Sequence, residues 1–128
     1  MRYLVDTHLL LWAAGFPGRL PSAASEIFED VGNELMFSVL SVWEVAIKTS
    51  LGRADFRTEP RTFRLRLLDS GFEEVAITSE HAATVASLPL IHRDPFDRLL
   101  VAQALVEGVT LLTADRRLAE YPAMVRRV

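Results

Sequence analysis

The stretch His92–Asp115, HRDPFDRLLVAQALVEGVTLLTAD, decides the fold because it predicts one helix and one strand, each with a carboxylate at its end. Asp94 is a natural helix N-cap, and Pro95 suits the first helical position, where a missing N–H costs nothing. Apolar residues then recur at spacings of three and four until Gly108, where the helix is expected to stop. This pattern places Asp97 in the first turn of the helix.

A buried strand is expected directly after that helix. Residues Val109–Thr113 are apolar or β-branched, too few for another helix, and are followed by a charge only at Asp115. A helix, a short loop and an apolar strand form half of a βαβ unit, and the strands of such units pair in parallel. The stretch therefore favours a parallel sheet.

The rest of the chain repeats this alternation. Strands are expected at 3–5, 35–39 and 74–77 with an edge strand at 124–128, and helices at 8–14, 22–31, 41–51, 60–68 and 79–88. At 128 residues the chain is long enough for one domain and short for two. The sequence therefore predicts an α/β fold, an α/β/α sandwich with a mainly parallel central sheet, built by residues 1–128 as a single domain.

The composition excludes several classes of protein. The chain has no cysteine, which rules out disulfides and thiolate metal sites and leaves only oxygen or histidine ligands for a metal. No apolar run approaches the ~18 residues that a membrane span needs, and the N-terminus lacks the pattern of a signal peptide. A net charge of −3 argues against binding nucleic acid by bulk electrostatics. We therefore expect a cytoplasmic protein with no membrane partner.

Four acidic residues are expected to meet at one edge of the sheet. In a parallel sheet, the C-terminal ends of the strands and the N-termini of the following helices share that edge. Asp6 and Asp115 follow strands, whereas Asp97 and Glu44 are expected in first helical turns, Glu44 in a capping-box sequence that begins at Ser41. Taken singly, each acid could complement a helix dipole or end a strand. Their joint occurrence favours a site.

Such a cluster calls for a cation. Two carboxylates about 4 Å apart repel by roughly 4 kcal/mol at an effective dielectric near 20. Hard oxygen ligands without cysteine favour Mg²⁺ or Mn²⁺. A pocket that binds these ions can orient and deprotonate a water and stabilise the leaving oxygen of a phosphodiester. The predicted catalytic and metal-binding residues are Asp6, Glu44, Asp97 and Asp115.

Other side chains near these acids are candidate supports. Thr113 and Ser41 could orient carboxylates by hydrogen bonding, although both are ordinary strand-end and N-cap residues, and we favour the capping role for Ser41. Arg98 flanks the acids and is expected to contact phosphate or to pair with an acid. His8 and His92 are candidate ligands or substrate contacts, but a histidine near a loop is more often a hydrogen-bonded structural group.

The clustered arginines are candidate contacts for phosphate or for an acidic partner. Five arginines lie between residues 53 and 66, and we single out Arg53, Arg57 and Arg61. A solvated helix face and loop explain this segment equally well, whereas the planar guanidinium suits phosphate and carboxylate. Trp12 and Trp43 are expected in the core rather than as platforms for nucleic-acid bases.

Four short motifs carry a family resemblance. LVDTHLLLW, SVWEVAIK, HRDPFDRLLVAQAL and LLTAD, in this order over almost the whole chain, resemble the PIN-domain ribonucleases, specifically the VapC-type toxins of bacterial toxin–antitoxin pairs. The resemblance implies a PIN-like fold and an acidic quartet that binds Mg²⁺ or Mn²⁺ for endonucleolytic cleavage of RNA. The residues that match the quartet are Asp6, Glu44, Asp97 and Asp115.

The same resemblance implies partners. It implies a homodimer and a cognate antitoxin that covers the site, commonly with its own DNA-binding domain, so that any contact with DNA is indirect. The short, arginine-rich end AEYPAMVRRV departs from the usual hydrophobic finish of the family, which puts the last strand in question but not the site.

Three alternatives stay open at this point. A catalytically silent PIN scaffold would only bind a partner. A haloacid-dehalogenase-like phosphatase would use a similar acid pocket, but expects a second acid where this chain has His8. A phospho-acceptor receiver domain is matched only loosely by Lys48 and the acids.

Overall fold

The computed structural model describes residues 1–53 and 57–128, which form a five-stranded sheet flanked by helices. The strands lie in the order β3-β2-β1-β4-β5, and every neighbouring pair is parallel. The predicted α/β class and parallel central sheet are therefore confirmed. The strands are β1 (Arg2–Val5), β2 (Glu34–Ser38), β3 (Glu73–Val75), β4 (Thr110–Thr113) and β5 (Val125–Arg127).

Six α-helices are formed by the described residues, together with three short 3₁₀ turns. Helices follow each other without a strand among the described residues between them in the pairs α1–α2, α3–α4 and α5–α6, and only a 3₁₀ turn separates β4 from β5. The helices are α1 (Thr7–Gly15), α2 (Ser22–Glu29), α3 (Val39–Ser50), α4 (Pro60–Asp69), α5 (Ser79–Thr84) and α6 (Pro95–Glu107).

The sheet separates two hydrophobic clusters, one on each face. Successive side chains of a strand point to opposite faces, so Tyr3 and Val5 of β1 join one cluster while Leu4 joins the other. The first cluster contains buried residues of α1, α2 and α4, and the second contains those of α6. Because helices cover both faces, the central strands read as continuous apolar runs.

The helix that decides the fold has the predicted ends. The Asp94 carboxylate accepts hydrogen bonds from the N–H groups of Phe96 at 2.8 Å and Asp97 at 3.5 Å. Gly108 closes the helix in the left-handed conformation, with φ of 65°, which a side chain would strain. These two local signals hold Asp97 in the first turn of α6.

The predicted start of α3 is wrong. Ser38 is the N-cap, with its hydroxyl accepting a hydrogen bond from the Leu40 N–H at 3.0 Å, and the helix begins at Val39. Ser41 is fully buried inside the helix, where its hydroxyl is 2.8 Å from that of Thr7. Glu44 therefore lies in the second turn of α3 and not in the first.

Two further expectations concern the periphery. Trp43 is 52% exposed and packs against the Phe96 ring in an edge-to-face pair, so its assignment to the core is wrong. The arginine-rich C-terminus does form the edge strand β5, which pairs with β4 through residues Val125–Arg127. An edge strand is hydrogen-bonded on one side only, which leaves exposed positions for its arginines.

None of the helices within residues 1–53 and 57–128 combines the length and the apolar character that crossing a bilayer requires.

Candidate active site

The four predicted acids line one pocket at the C-terminal edge of the sheet. Its volume is about 320 Å³. Asp6 follows β1, Asp115 follows β4, and Glu44 and Asp97 project from α3 and α6. The other lining residues are His8, Trp12, Lys48, Arg53, His92, Asp94 and Ala114. Residues as far apart in sequence as 6 and 115 are thus brought together by the parallel topology.

Asp6 is held from two sides at the end of β1. Its carboxylate caps α1 by accepting a hydrogen bond from the His8 N–H at 3.4 Å, and it accepts another from the Thr113 hydroxyl at 2.6 Å. Burial raises the pKa of Asp6, against the opposing effect of the Thr113 hydrogen bond, and the Glu44 charge raises it further. Thr113 thus orients an acid, as one of its two predicted roles required.

The two carboxylate oxygens of Glu44 differ in their surroundings. The side chain is 3% exposed, and its Oε2 pairs with the Lys48 ammonium at 2.5 Å. Among the described residues, nothing hydrogen-bonds to Oε1 of Glu44. A buried polar atom left in this way costs about 1–3 kcal/mol, more for a charged group, and is therefore expected to have a ligand.

Asp97 experiences the charge of the whole cluster. Its pKa is raised to about 8, first by burial and then by the charges of Asp6, Asp94, Glu44 and Asp115. A cation in the pocket would act in the opposite direction and favour the ionised carboxylate. The perturbed Asp97 therefore marks the pocket as a place where positive charge is stabilised.

Asp115 is tied to the end of β4 and faces a histidine. Its backbone N–H donates to the Thr113 hydroxyl at 2.9 Å, so this one hydroxyl connects the loops that carry two of the acids. The Nε2 atom of His92 lies 3.5 Å from Oδ2 of Asp115 and 3.2 Å from Oδ2 of Asp97. One ligand atom from each of these three residues lies within 4.8 Å of the other two.

Arg98 hydrogen-bonds to uncharged oxygens and not to an acid, so the structure does not support a pairing with an acid, while a contact with phosphate stays a prediction. Its guanidinium donates to the carbonyl oxygens of Pro89 at 2.9 Å and Val85 at 3.2 Å, and to the Tyr121 hydroxyl at 3.3 Å. One residue further along a helix is a rotation of about 100°, which carries Arg98 off the face that presents Asp97. Its role is to fix the segment that precedes α6.

The three singled-out arginines separate in the structure. Arg53 lines the acid pocket, whereas Arg57 and Arg61 are exposed outside it. Arg61 lies 3.6 Å from the carboxylate of Glu59, which also caps α4. Residues 54–56 of this arginine-rich segment lie outside the described residues.

The sequence of the chain matches known proteins over most of its length. The model of the PIN domain family matches residues 3–124 of the chain. The chain belongs to the PIN-domain family. This PIN domain is also 35% identical over 119 residues to Ribonuclease VapC22 of Mycobacterium tuberculosis (strain ATCC 25618 / H37Rv), covering 92% of this chain and 90% of that protein. It is thus a VapC-type member of the family, as the sequence motifs predicted.

Solved structures share the fold at low sequence identity. The crystal structure of VapBC2 from Rickettsia felis, bound to a DNA fragment from their promoter, has a TM-score of 0.70 at 14% identity, covering 100% of this chain and 99% of that one. DNA-bound VapBC from Salmonella typhimurium has a TM-score of 0.70 at 12% identity, covering 99% of this chain and 98% of that one. VapBC-5 from M. tuberculosis, a member of the VapBC family of toxin-antitoxin systems, has a TM-score of 0.61 at 17% identity. The match covers 99% of this chain and 98% of that one.

The pocket of this PIN domain fits a divalent cation. Carboxylates supply most of the side-chain atoms in the pocket that could bind a metal. One buried oxygen of Glu44 has no partner among the described residues. Burial and the acidic neighbours of Asp97 raise its pKa. A hard cation with oxygen ligands would satisfy the free oxygen and offset the repulsion among the acids. The donor set therefore agrees with a metal site.

Proposed function

We propose that this chain is the toxin of a toxin–antitoxin pair and acts as a metal-dependent endoribonuclease that hydrolyses phosphodiester bonds of RNA. The observation that carries the proposal is the pocket of four acids, in which no described residue hydrogen-bonds to Oε1 of Glu44. The name of the 35% identical relative, a ribonuclease, supports the reaction class. We further propose that residues 1–128 form one domain and that the protein works in the cytoplasm.

The proposed ligands are the four acids, holding Mg²⁺ or Mn²⁺: Asp6, Glu44, Asp97 and Asp115. When bound, such an ion supplies Lewis-acid chemistry, which generates a nucleophile from water near neutral pH and stabilises charge on the phosphodiester. The chain's own contribution is placement. Thr113 holds the Asp6 carboxylate through its hydroxyl, and Lys48 holds Oε2 of Glu44 so that Oε1 is left for a ligand.

Positive side chains at the pocket suit a phosphodiester substrate. Lys48 and Arg53 both line the pocket beside the acids. Cations there reduce the repulsion that four carboxylates would exert on an incoming phosphate, and arginine in particular matches phosphate geometry. We propose that the exposed Arg57 and Arg61 contact either the RNA outside the pocket or the antitoxin.

We also propose that the chain is a homodimer and binds a cognate antitoxin. The named structural neighbours include complexes of toxin and antitoxin, two of them bound to DNA. By this account the toxin meets DNA only through the antitoxin, in agreement with its net charge of −3. Size-exclusion chromatography with light scattering, on the chain alone and with the antitoxin co-expressed, measures both associations.

The test of the activity is cleavage of total cellular RNA by the purified chain with Mn²⁺ or Mg²⁺. Discrete fragments that vanish in EDTA and with Asp6→Asn are expected. An exposed acid replaced in the same way, Asp69→Asn, provides the matched control and should cleave like wild type. RNA binding without cleavage by metal-loaded, antitoxin-free protein would instead favour the silent scaffold.

A further inference from the structure

The His92 imidazole lies between two of the four acids without being one of the proposed ligands. Its Nε2 is 3.2 Å from Oδ2 of Asp97 and 3.5 Å from Oδ2 of Asp115. The side chain is only 13% exposed, so it belongs to the wall of the pocket and not to its mouth. What His92 can donate to the two carboxylates depends on which nitrogen of its ring carries the proton.

The hydrogen bond at the other ring nitrogen, Nδ1, fixes where the proton of the neutral ring lies. The backbone N–H of Asp94 donates to Nδ1 of His92 at 3.1 Å. A nitrogen that accepts a hydrogen bond uses its lone pair, so the proton of the neutral ring resides on Nε2. The neutral ring therefore carries its N–H on the nitrogen that lies nearest to the two carboxylates. While the Asp94 bond is made, the ring has no lone pair to give a metal at Nε2.

A buried tyrosine fixes the residue in this position. The His92 backbone N–H donates to the Tyr121 hydroxyl at 2.8 Å, and that hydroxyl donates back to the His92 carbonyl at 3.3 Å. Tyr121 is 4% exposed, and Arg98 donates to the same hydroxyl at 3.3 Å. The backbone of His92 is thus held by groups from α6 and from the segment before β5.

We propose that His92 is a positioning residue of the metal site, whose Nε2–H holds the Asp97 and Asp115 carboxylates side by side for one divalent cation. The inference rests on the proposed function for the identity of that cation. An N–H dipole that lies 3.2 Å and 3.5 Å from one oxygen of each carboxylate offsets part of their mutual repulsion. Groups that orient metal ligands in this way are typically worth about 10–100-fold in metal affinity.

Two substitutions separate the two nitrogens of the ring. In His92→Asn the side-chain oxygen can stand where Nδ1 stood and keep the bond from the Asp94 N–H, but no donor reaches the acids. In His92→Gln the longer side chain can place an amide N–H near the position of Nε2. The readout is the dissociation constant for Mn²⁺, measured with the full chain by electron paramagnetic resonance of the free ion, without RNA.

The expected result is a Mn²⁺ affinity about 10–100-fold weaker in His92→Asn, with most of the loss recovered in His92→Gln. Tyr121→Phe, which removes the anchor of the His92 backbone together with one hydrogen bond of Arg98, should give a smaller loss in the same direction. Equal affinity in wild type and His92→Asn overturns the inference, as does tighter binding, which would mean that the imidazole competes with the ion.

The outcome is separable from that of the proposed function. Wild type that binds Mn²⁺ but cleaves no RNA would remove the proposed activity and leave the His92 result standing. Wild type that cleaves RNA, together with a His92→Asn variant of unchanged affinity, would remove only the role of His92. If His92→Asn fails to fold by circular dichroism, the comparison of His92→Gln and Tyr121→Phe with wild type still decides.

Discussion

Replacing Asp97 by asparagine should stabilise the metal-free protein and flatten its dependence on pH. Burial and four neighbouring acids raise the pKa of Asp97 to about 8 from its ordinary value of 3.8. Between about pH 4 and pH 8, the Asp97 carboxyl is therefore protonated in the folded chain and ionised in the unfolded chain. Asparagine keeps the size of the side chain and removes the charge, so Asp97→Asn isolates this effect.

The sign and the size follow from linkage between proton binding and folding. Because the pKa is raised in the folded state, the stabilising contribution of Asp97 is complete below about pH 4 and is lost as the pH rises through about 8. Each pH unit within that window removes up to about 1.4 kcal/mol, which gives an upper limit near 6 kcal/mol. Asp97 keeps some contact with solvent, and screening reduces its contribution below this limit. We therefore expect the free energy of unfolding to fall by about 2–3 kcal/mol across the window.

Urea denaturation in EDTA between pH 5 and pH 8.5 measures this contribution. Wild type should lose stability over the window, Asp97→Asn should lose clearly less, and the variant should be the more stable protein at pH 8. Asp69→Asn changes an exposed carboxylate at the end of α4 and should keep the slope of wild type. A variant with the slope of wild type, or with lower stability at pH 8, would refute the reasoning about the acid cluster.

Three further predictions concern the metal, the threonine and the arginines. Since Asp97 must release a proton to bind a cation, Mn²⁺ affinity by calorimetry should rise up to about tenfold per unit between pH 6 and pH 8, and a flat profile contradicts this. Thr113→Val removes both hydrogen bonds of a buried hydroxyl and should cost about 1–3 kcal/mol in urea denaturation, whereas an unchanged midpoint would show that these bonds are dispensable. The double substitution Arg57→Glu and Arg61→Glu should weaken binding of either RNA or antitoxin in gel-shift titrations, and binding of both at wild-type strength removes that surface.

The parts of the fold that depend on local signals could be predicted from the sequence. The ends of α6 were predicted to the residue because a cap at Asp94 and a left-handed glycine at Gly108 act on their own neighbours. The start of α3 was not, because two serines offer a cap and the register of the sheet chooses between them. Ser38 pairs with Val75 as the last residue of β2, which makes it the first position free to cap.

The same distinction between local signals and long-range contacts applies to the site. Convergence of the acids follows from parallel topology alone, so it survived the misplaced start of α3. The directions of the Arg98 and Trp43 side chains depend on packing partners that no local pattern identifies. The structure therefore shows no pairing of Arg98 with an acid, and the core assignment of Trp43 was wrong. The donor role of His92 depends on Tyr121, 29 residues further along, and on a backbone N–H two residues away. The signal in the sequence was only its place two residues before the N-cap Asp94.

Cleavage of RNA by Asp97→Asn, compared with Asp94→Asn, tests the central claim most directly. The two acids are three residues apart and both line the pocket, but Asp94 is the cap of α6 and asparagine caps a helix equally well. With Mn²⁺ present, the account predicts that Asp97→Asn loses nearly all cleavage while Asp94→Asn keeps most of it. Cleavage by Asp97→Asn at the rate of wild type would contradict the assignment of the acids to a metal-dependent ribonuclease site.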